Sequence, residues 1–367
     1  IDSSFVFWAV SGMETTLFTL LLIAIFYSYS KINEKTKYTN YLIITLILST
    51  MGRLEGAIVF GFIVINMFLY RRSCNEFNRI FFRILLNYAL IIGMYLLFKY
   101  LYYGSILPNT FHAKAVTNIG FNLNEGMDYL IVSYKARFII LLPLLFLPFG
   151  RILKDYKLNF LFFFPIVYSV YILYVGGDWP GASRFILPIL PFIYILTAVG
   201  LNEIYQKFLK FESISLNLKN AVLVFILIFI CAVNALYTYK KLEPYTFLKQ
   251  DYITFEKTCT ETGLWLYENE NPNLVIALAP AGKVAYYSEK YCIDMWGLND
   301  LHISRTESQT NVVAHRKFDF NYVLTKKPDF IIGYAGFTDE MMPNTYIKLR
   351  EALPTNGYLP IFMHQSK

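Results

Sequence analysis

Charge is scarce in this 367-residue chain. Asp, Glu, Lys and Arg supply 16% of it, against about 25% in a soluble domain. Cysteine is scarce as well: Cys74, Cys231, Cys259 and Cys292 show no CxxC or Cys/His spacing, which excludes a disulfide framework and a zinc module. The four histidines (His112, His302, His315, His364) are scattered, which argues against a His-based metal centre. No 20–50-residue period and no low-complexity tract occurs, so a solenoid is excluded. What the chain does have is apolar surface. Apolar residues make up 56%, with 33 Phe and 30 Tyr, which excludes disorder and disfavours a purely soluble enzyme.

The formal net charge of +7 suggests nucleic acid until it is located. Residues 1–239 carry 19 basic and 11 acidic residues, and residues 240–367 carry 14 and 15. The excess therefore lies in the apolar part, where it marks membrane orientation. No nucleic-acid partner is expected.

Apolar runs fall at about 15–30, 40–50, 56–70, 80–101, 138–150, 158–175, 185–201 and 220–238. A full span takes about 20 residues. Residues 40–70 as one helix would be about 46 Å long, too long for a bilayer. If the chain turns at Gly52–Gly56, one side of the membrane receives 13 of the 19 basic residues. That side is assigned to the cytoplasm. The other side receives residues 1–14, 102–137, 176–184 and everything from about 240 onward. The expected fold is a polytopic α-helical membrane protein of about seven to eight hydrophobic helices, some short. Residues 1–239 form the membrane domain, and 240–367 a small C-terminal extracytoplasmic α/β domain. In the latter, an amphipathic stretch (Tyr252–Asn269) precedes strands at Leu274–Leu278, Tyr291–Met295 and Asp329–Gly333, with a short helix in Ala279–Ser288. Cys231 reads as a small core residue. Cys259 and Cys292 are either isolated thiols or, in an oxidising compartment, a pair.

The outer segments hold the polar residues that need a reason. Glu14 opens an apolar helix, either as a carboxylate at the positive helix end or as a group facing a cavity. Arg53 and Glu55, between glycines, read as a tight turn with a local ion pair, a costly thing to bury without purpose. Tyr102–Lys114 (YYGSILPNTFHAK) mixes Gly, Pro, aromatics, an amide and a cation. It is either an interfacial aromatic belt with a snorkelling Lys114 or a site for a lipid phosphate. In Gly176–Arg184 (GGDWPGASR), Asp178 and Arg184 frame a glycine-rich loop, an ordinary turn or a close approach to a ligand. The helices themselves are nearly charge-free, which disfavours an ion-coupled transporter. A rim pocket for an anionic, lipid-linked substrate fits better.

Five segments, SGMETTLF (11–18), RLEG (53–56), YYGSILPNTFHAK (102–114), GGDWPGASRFILP (176–188) and DMWGLNDLHISR (294–305), carry a resemblance. In this order they resemble the integral-membrane GT-C glycosyltransferases that use polyprenyl-phosphate sugars. They are most similar to the terminal β-(1→2)-arabinofuranosyltransferase family of mycobacterial cell walls. RLEG departs from the commoner RPEG. Relatives with these motifs transfer different sugars, so the sugar does not follow.

The resemblance implies a GT-C-like domain in a bacterial inner membrane. A sugar would pass from a polyprenyl-phosphate donor to an envelope glycan or glycolipid on the extracytoplasmic face, with inversion. It implies Lys114, Arg184 and Arg53 on the donor phosphate, where cations offset developing charge. Glu14, Glu55, Tyr103, Asn109, Thr110 and Asp178 would bind donor or acceptor. Asp300, His302 and Arg305 would touch acceptor polysaccharide or, for Asp300 and Arg305, brace a loop. A divalent metal beside the phosphate is left open, and no other cofactor is implied. The family's acidic first loop, which carries the general base, would precede residue 1, so the chain by itself is expected to be an inactive, N-terminally truncated piece. A lipid-linked polysaccharide polymerase or ligase, a flippase and a non-catalytic glycan-binding scaffold stand as alternatives.

Overall fold

A computed structural model describes residues 2–70, 75–114, 119–135, 137–178, 183–210, 215–279, 281–309, 317–335, 338–349 and 361–366. The chain divides into two compact units. One holds residues 1–106 and 119–242, the other 107–118 and 243–367.

The first unit is helical. It contains α1 (Ser3–Ala9), α2 (Thr15–Ser30), α3 (Thr36–Gly52), α4 (Gly56–Leu69) and α5 (Asn75–Tyr103). After α6 (Asn109–Lys114), which belongs to the second unit, come α7 (Ile119–Lys135), α8 (Phe138–Leu141), α9 (Phe149–Ile152), α10 (Tyr156–Val175) and α11 (Leu190–Leu209). The long α12 (Leu216–Asn269) begins in the first unit and ends in the second.

Among the described residues, four helical stretches are long and apolar enough to cross a membrane: Phe77–Tyr103, Tyr156–Val175, Leu187–Leu209 and Leu216–Val233. The count reaches five if the pair Gly120–Lys135 and Ile139–Phe146, bent by 77°, is one span. The chain is thus mostly helical with the character of a multi-pass membrane protein. Several runs expected to be hydrophobic helices fall short of full spans. The run at 138–150 breaks into α8, a 3-10 turn (Leu142–Phe146) and α9. Pro143 and Pro148 each remove a backbone donor there. The turn at 52–56 is present as read. α3 stops at Gly52, Arg53 is extended, and α4 starts at Gly56. Only glycine fits at 56, because a Cβ would lie 2.4 Å from the Thr50 backbone nitrogen.

The first unit's core is aromatic. Phe26, Phe160, Phe164 and Phe192 meet at centroid distances of 5.1–5.9 Å, several edge to face, the arrangement the ring quadrupole favours. A polar seam crosses it. Tyr29 Oη donates to Asn66 Oδ1 at 2.5 Å, and Asn66 Nδ2 donates to Asn159 Oδ1 at 2.6 Å. Buried amides joined in this way hold apolar helices α2, α4 and α10 in register, where apolar contact alone is not selective.

The second unit is a five-stranded sheet with helices. Its strands are β1 (Val275–Leu278), β2 (Tyr291–Asp294), β3 (Phe330–Ile332), β4 (Tyr346–Leu349) and β5 (Ile361–His364), in the order β2-β1-β3-β5-β4. β1 pairs in parallel with β2 and β3, while β5 runs antiparallel to β3 and β4. Alternate residues face opposite sides. Ile276, Leu278, Phe330 and Ile332 pack with Cys259 and Leu266 of α12 and Val284 of α13 (Lys283–Ser288). Ala277, Ile293 and Ile331 pack with Met295, Ile303 and, from α14 (Phe320–Thr325), Phe320 and Val323. Cys259 and Cys292 are free thiols in this packing rather than a disulfide, and burial pushes the Cys259 thiol up to about 11. Cys74 lies outside the described residues.

Candidate functional site

Three of the five motif segments meet in the first unit. Arg53 lies between two carboxylates, with Nη1 3.2 Å from Glu14 Oε1 and Nη2 2.9 Å from Glu55 Oε1. Tyr171 Oη donates to the same Glu55 oxygen at 2.9 Å. Arg184 grips Asp178 with both edges of its fork: Nη2 to Oδ1 at 2.8 Å and Nε to Oδ2 at 2.7 Å. Among the described residues its remaining Nη1 reaches only the Met13 Sδ, at 3.4 Å.

The two guanidinium groups are stacked through aromatic rings. The Arg53 Cζ lies 5.4 Å from the Phe18 centroid and 5.6 Å from that of Phe185. The Arg184 Cζ lies 5.2 Å from Phe185 and 5.5 Å from Trp8. The order is Phe18, Arg53, Phe185, Arg184, Trp8. Such cation–π contacts strengthen when water is excluded, and the Arg53, Glu55, Arg184 and Asp178 side chains are only 8–14% exposed. Glu14, at 44%, is the open end of this ladder.

The backbone is shaped to hold the ladder. α10 ends on Gly176, whose left-handed φ of 82° needs no Cβ. Gly177 follows at φ 73°, and a Cβ there would lie 2.8 Å from Tyr129 Cβ. The other end of the loop is fastened to α7, because Phe185 N donates to Tyr129 Oη at 2.9 Å. Trp179–Ala182 lie outside the described residues.

A third buried ion pair adjoins this loop. Arg137, at the break between α7 and α8, donates to Asp2 through Nε at 2.7 Å and Nη2 at 3.1 Å. Tyr194 Oη also donates to Asp2, at 2.9 Å, and Arg137 Nη1 takes the Ser133 carbonyl at 2.8 Å. Ser133 in turn lies 3.4 Å from Ser183, oxygen to oxygen. Sequence reasoning missed this cluster, along with Phe185, Tyr171 and Trp8. Arg137, at the edge of an apolar run, was a usable signal, since an ionised group in such a place needs a partner. The aromatic residues gave none, in a chain with 33 Phe and 30 Tyr.

The other two motif segments meet in the second unit. Asn109, at the start of α6, donates through Nδ2 to the carbonyls of Gly297, Leu298 and Asp300 at 3.0, 3.1 and 3.2 Å. Its Oδ1 accepts from Ser304 Oγ at 2.7 Å. The side chain expected to touch donor or acceptor is thus engaged within the protein. Thr110 is exposed beside it, and Ala113 is buried. Lys114 closes α6, and its side chain lies outside the described residues. Tyr103 ends α5, exposed, with its ring edge to face on Tyr102 at 4.7 Å.

Asp300 braces the turn. Its Oδ1 accepts from His302 N and Ile303 N, both at 2.9 Å, and Oδ2 from Tyr322 Oη at 3.1 Å. Asp294 does the same upstream, accepting from Trp296 N and Asn299 N at 3.0 and 2.9 Å. Burial pushes the Asp294 carboxyl above its ordinary range, against the pull of those N–H groups. His302 Nε2 lies 2.9 Å from Asp319 Oδ2, and its ring stacks on Tyr322 at 4.0 Å. Burial works to raise the Asp319 carboxyl, but the Tyr322 N–H and His302 outweigh it and hold it below the usual carboxylate range.

Among the described residues, no group of three or more His, Cys, Asp or Glu side chains converges as a metal site. Glu14, Glu55 and Asp178 are each turned to a guanidinium.

A family model described as a domain of unknown function, DUF8728, matches residues 248–362. That stretch lies within the second unit and leaves out the 107–118 segment packed with it. No curated protein and no solved structure matches the chain.

Proposed function

We propose that this protein is a membrane glycosyltransferase of the GT-C kind. It moves a sugar from polyprenyl phosphate to a hydroxyl of an envelope glycan or glycolipid, with inversion at the anomeric carbon. The reaction takes place on the extracytoplasmic face of a bacterial inner membrane. The observation that carries the reading is the Phe18–Arg53–Phe185–Arg184–Trp8 ladder, in which the SGMET, RLEG and GGDWPGASRF segments meet. Segments far apart in the chain meet at buried charges with one open edge, which is costly to maintain for packing alone.

The ladder suits a departing phosphate in a specific way. Arg184 spends Nε and Nη2 on Asp178, but its Nη1 faces a thioether, a weak acceptor. A phosphate oxygen in place of that sulfur gains a charge-assisted hydrogen bond. Asp178 keeps the guanidinium fixed before the charge develops, as preorganised stabilisation requires. Glu14 is partly exposed and held by Arg53 at 3.2 Å, so it can turn toward an acceptor hydroxyl.

The test is sugar transfer in proteoliposomes by protein purified from its native membrane, with a panel of polyprenyl-phosphate sugars. Wild-type protein is expected to use at least one donor. Arg184→Ala is expected to lose about 10²–10³-fold in rate, the loss seen on removing one preorganised donor. No transfer from any donor, or an unchanged Arg184→Ala rate, refutes the reading. Product length separates single-sugar transfer from a polymerase or ligase.

A further inference from the structure

The turn 294–305 of the second unit is fixed by hydrogen bonds in addition to its buried Met295 and Ile303. The Asp294 and Asp300 carboxylates are occupied by backbone N–H groups. Asn109, from nearly two hundred residues upstream, ties down three of the turn's carbonyls. Lys317, itself buried, donates to the Ser304 carbonyl at 2.9 Å. With the polar groups so used, the turn holds three side chains outward: Leu301, His302 and Arg305. Together with Thr306 they line one open depression.

Arg305 is the charged member. Among the described residues its guanidinium has no ion pair and no side-chain hydrogen bond, unlike Arg53, Arg137 and Arg184, each held by a carboxylate. Leu301 is 55% exposed, and the His302 ring is backed by Tyr322 at 4.0 Å and held by Asp319. The depression thus offers an unpaired planar fork beside a fixed apolar face. A guanidinium fork matches the two oxygens of a carboxylate or phosphate. A fixed ring and an aliphatic side chain match the C–H face of a sugar. Rigidity of this kind lowers the ordering cost of binding.

We propose that this depression is a subsite for an acidic sugar of the acceptor glycan, a proposal that rests on the glycosyltransferase reading. Arg305 takes the oxyanion, and Leu301 with the His302–Tyr322 stack takes the sugar ring. The test uses protein purified from its native membrane in detergent, with binding measured by thermophoresis. The probes are a hexasaccharide of alternating glucuronate and N-acetylglucosamine, the same hexasaccharide with its carboxylates reduced to alcohols, and inorganic phosphate.

The acidic hexasaccharide is expected to bind about tenfold or more tightly than the reduced one, the worth of one charge-assisted hydrogen bond. Arg305→Gln removes that preference without shifting the unfolding midpoint, because among the described residues the guanidinium has no ion pair or side-chain hydrogen bond to lose. Arg305→Lys keeps the charge, loses the fork and retains a smaller preference. Equal binding of the acidic and reduced forms, or an unchanged preference in Arg305→Gln, overturns the proposal. Phosphate binding as tightly as the acidic hexasaccharide also overturns it, in favour of a free-oxyanion site. If no sugar is transferred from any donor while the preference and its loss in Arg305→Gln persist, the enzyme reading falls and the subsite stands.

Discussion

Replacing Asn109 by Ala is expected to loosen the turn 294–305 while leaving the first unit's ladder unchanged. Asn109 makes three carbonyl bonds at 3.0–3.2 Å and one hydroxyl bond at 2.7 Å. Its amide has only two N–H groups, so one of the three carbonyls is shared, and three full bonds is a fair count. Each contributes about 0.5–1.5 kcal/mol net, and an unsatisfied buried acceptor costs about 1–3 kcal/mol. Asn109 is half-buried, so water replaces part of what is lost, leaving a cost of about 2 kcal/mol. That corresponds to an about 30-fold larger population of the locally open state. Hydrogen–deuterium exchange of peptides covering 294–305 reads this opening directly. Peptides from α10 and α11 serve as the internal control. Ser304→Ala alone should cost less, since it removes one of the four bonds, and the double variant should be less than additive. Exchange in 294–305 that changes by less than about twofold in Asn109→Ala would show that the amide bonds contribute no net stability.

Two further outcomes follow from the same structure. Gly177→Ala puts a Cβ 2.8 Å from Tyr129 Cβ at a φ of 73°. It should destabilise the first unit by about 2 kcal/mol or more, read as a lowered unfolding midpoint in detergent; an unchanged midpoint would mean that the loop rearranges freely. The second outcome concerns acid. Asp319 is held below its ordinary carboxylate range, so its contribution is present above that ordinary value and is lost as pH falls through the lower folded value. Asp294 is raised and works in the opposite sense, favouring the fold below the ordinary value and losing that effect as pH rises through its folded value. Asp319→Asn keeps an acceptor for the Tyr322 N–H but removes the titrating charge. Its second unit should therefore lose less stability on acidification than the wild type. Parallel acid-unfolding curves for the two proteins would contradict the assignment.

The sequence by itself determined what neighbouring residues decide. The amphipathic stretch before β1, the strands near 274–278, 291–295 and 329–333, and the short helix before Ser288 stand where local pattern put them. So does the turn between Gly52 and Gly56. Alternation and helical spacing are properties of adjacent residues, and a glycine that must lack a Cβ marks its own place. The Arg53–Glu55 pair was legible for the same reason, since both partners lie within one loop. β4 and β5 were not: they form the antiparallel edge of the sheet, and β4 shows no buried alternation of its own. The length of each membrane helix was also beyond local pattern, because Pro143 and Pro148 divide an apolar run without changing its composition.

Only the tertiary structure decided which distant groups meet. Phe185 lies between two guanidinium groups contributed by loops more than a hundred residues apart, and Asp2 finds Arg137 across the first unit. Asn109, read as a ligand contact from its motif, fastens a turn that begins 185 residues later. An Asn in a Pro-containing loop has the same local signature whether it binds a ligand or a carbonyl. What distinguishes the two is which hydrogen-bonding partner the fold brings within about 3 Å, and long-range packing alone sets that.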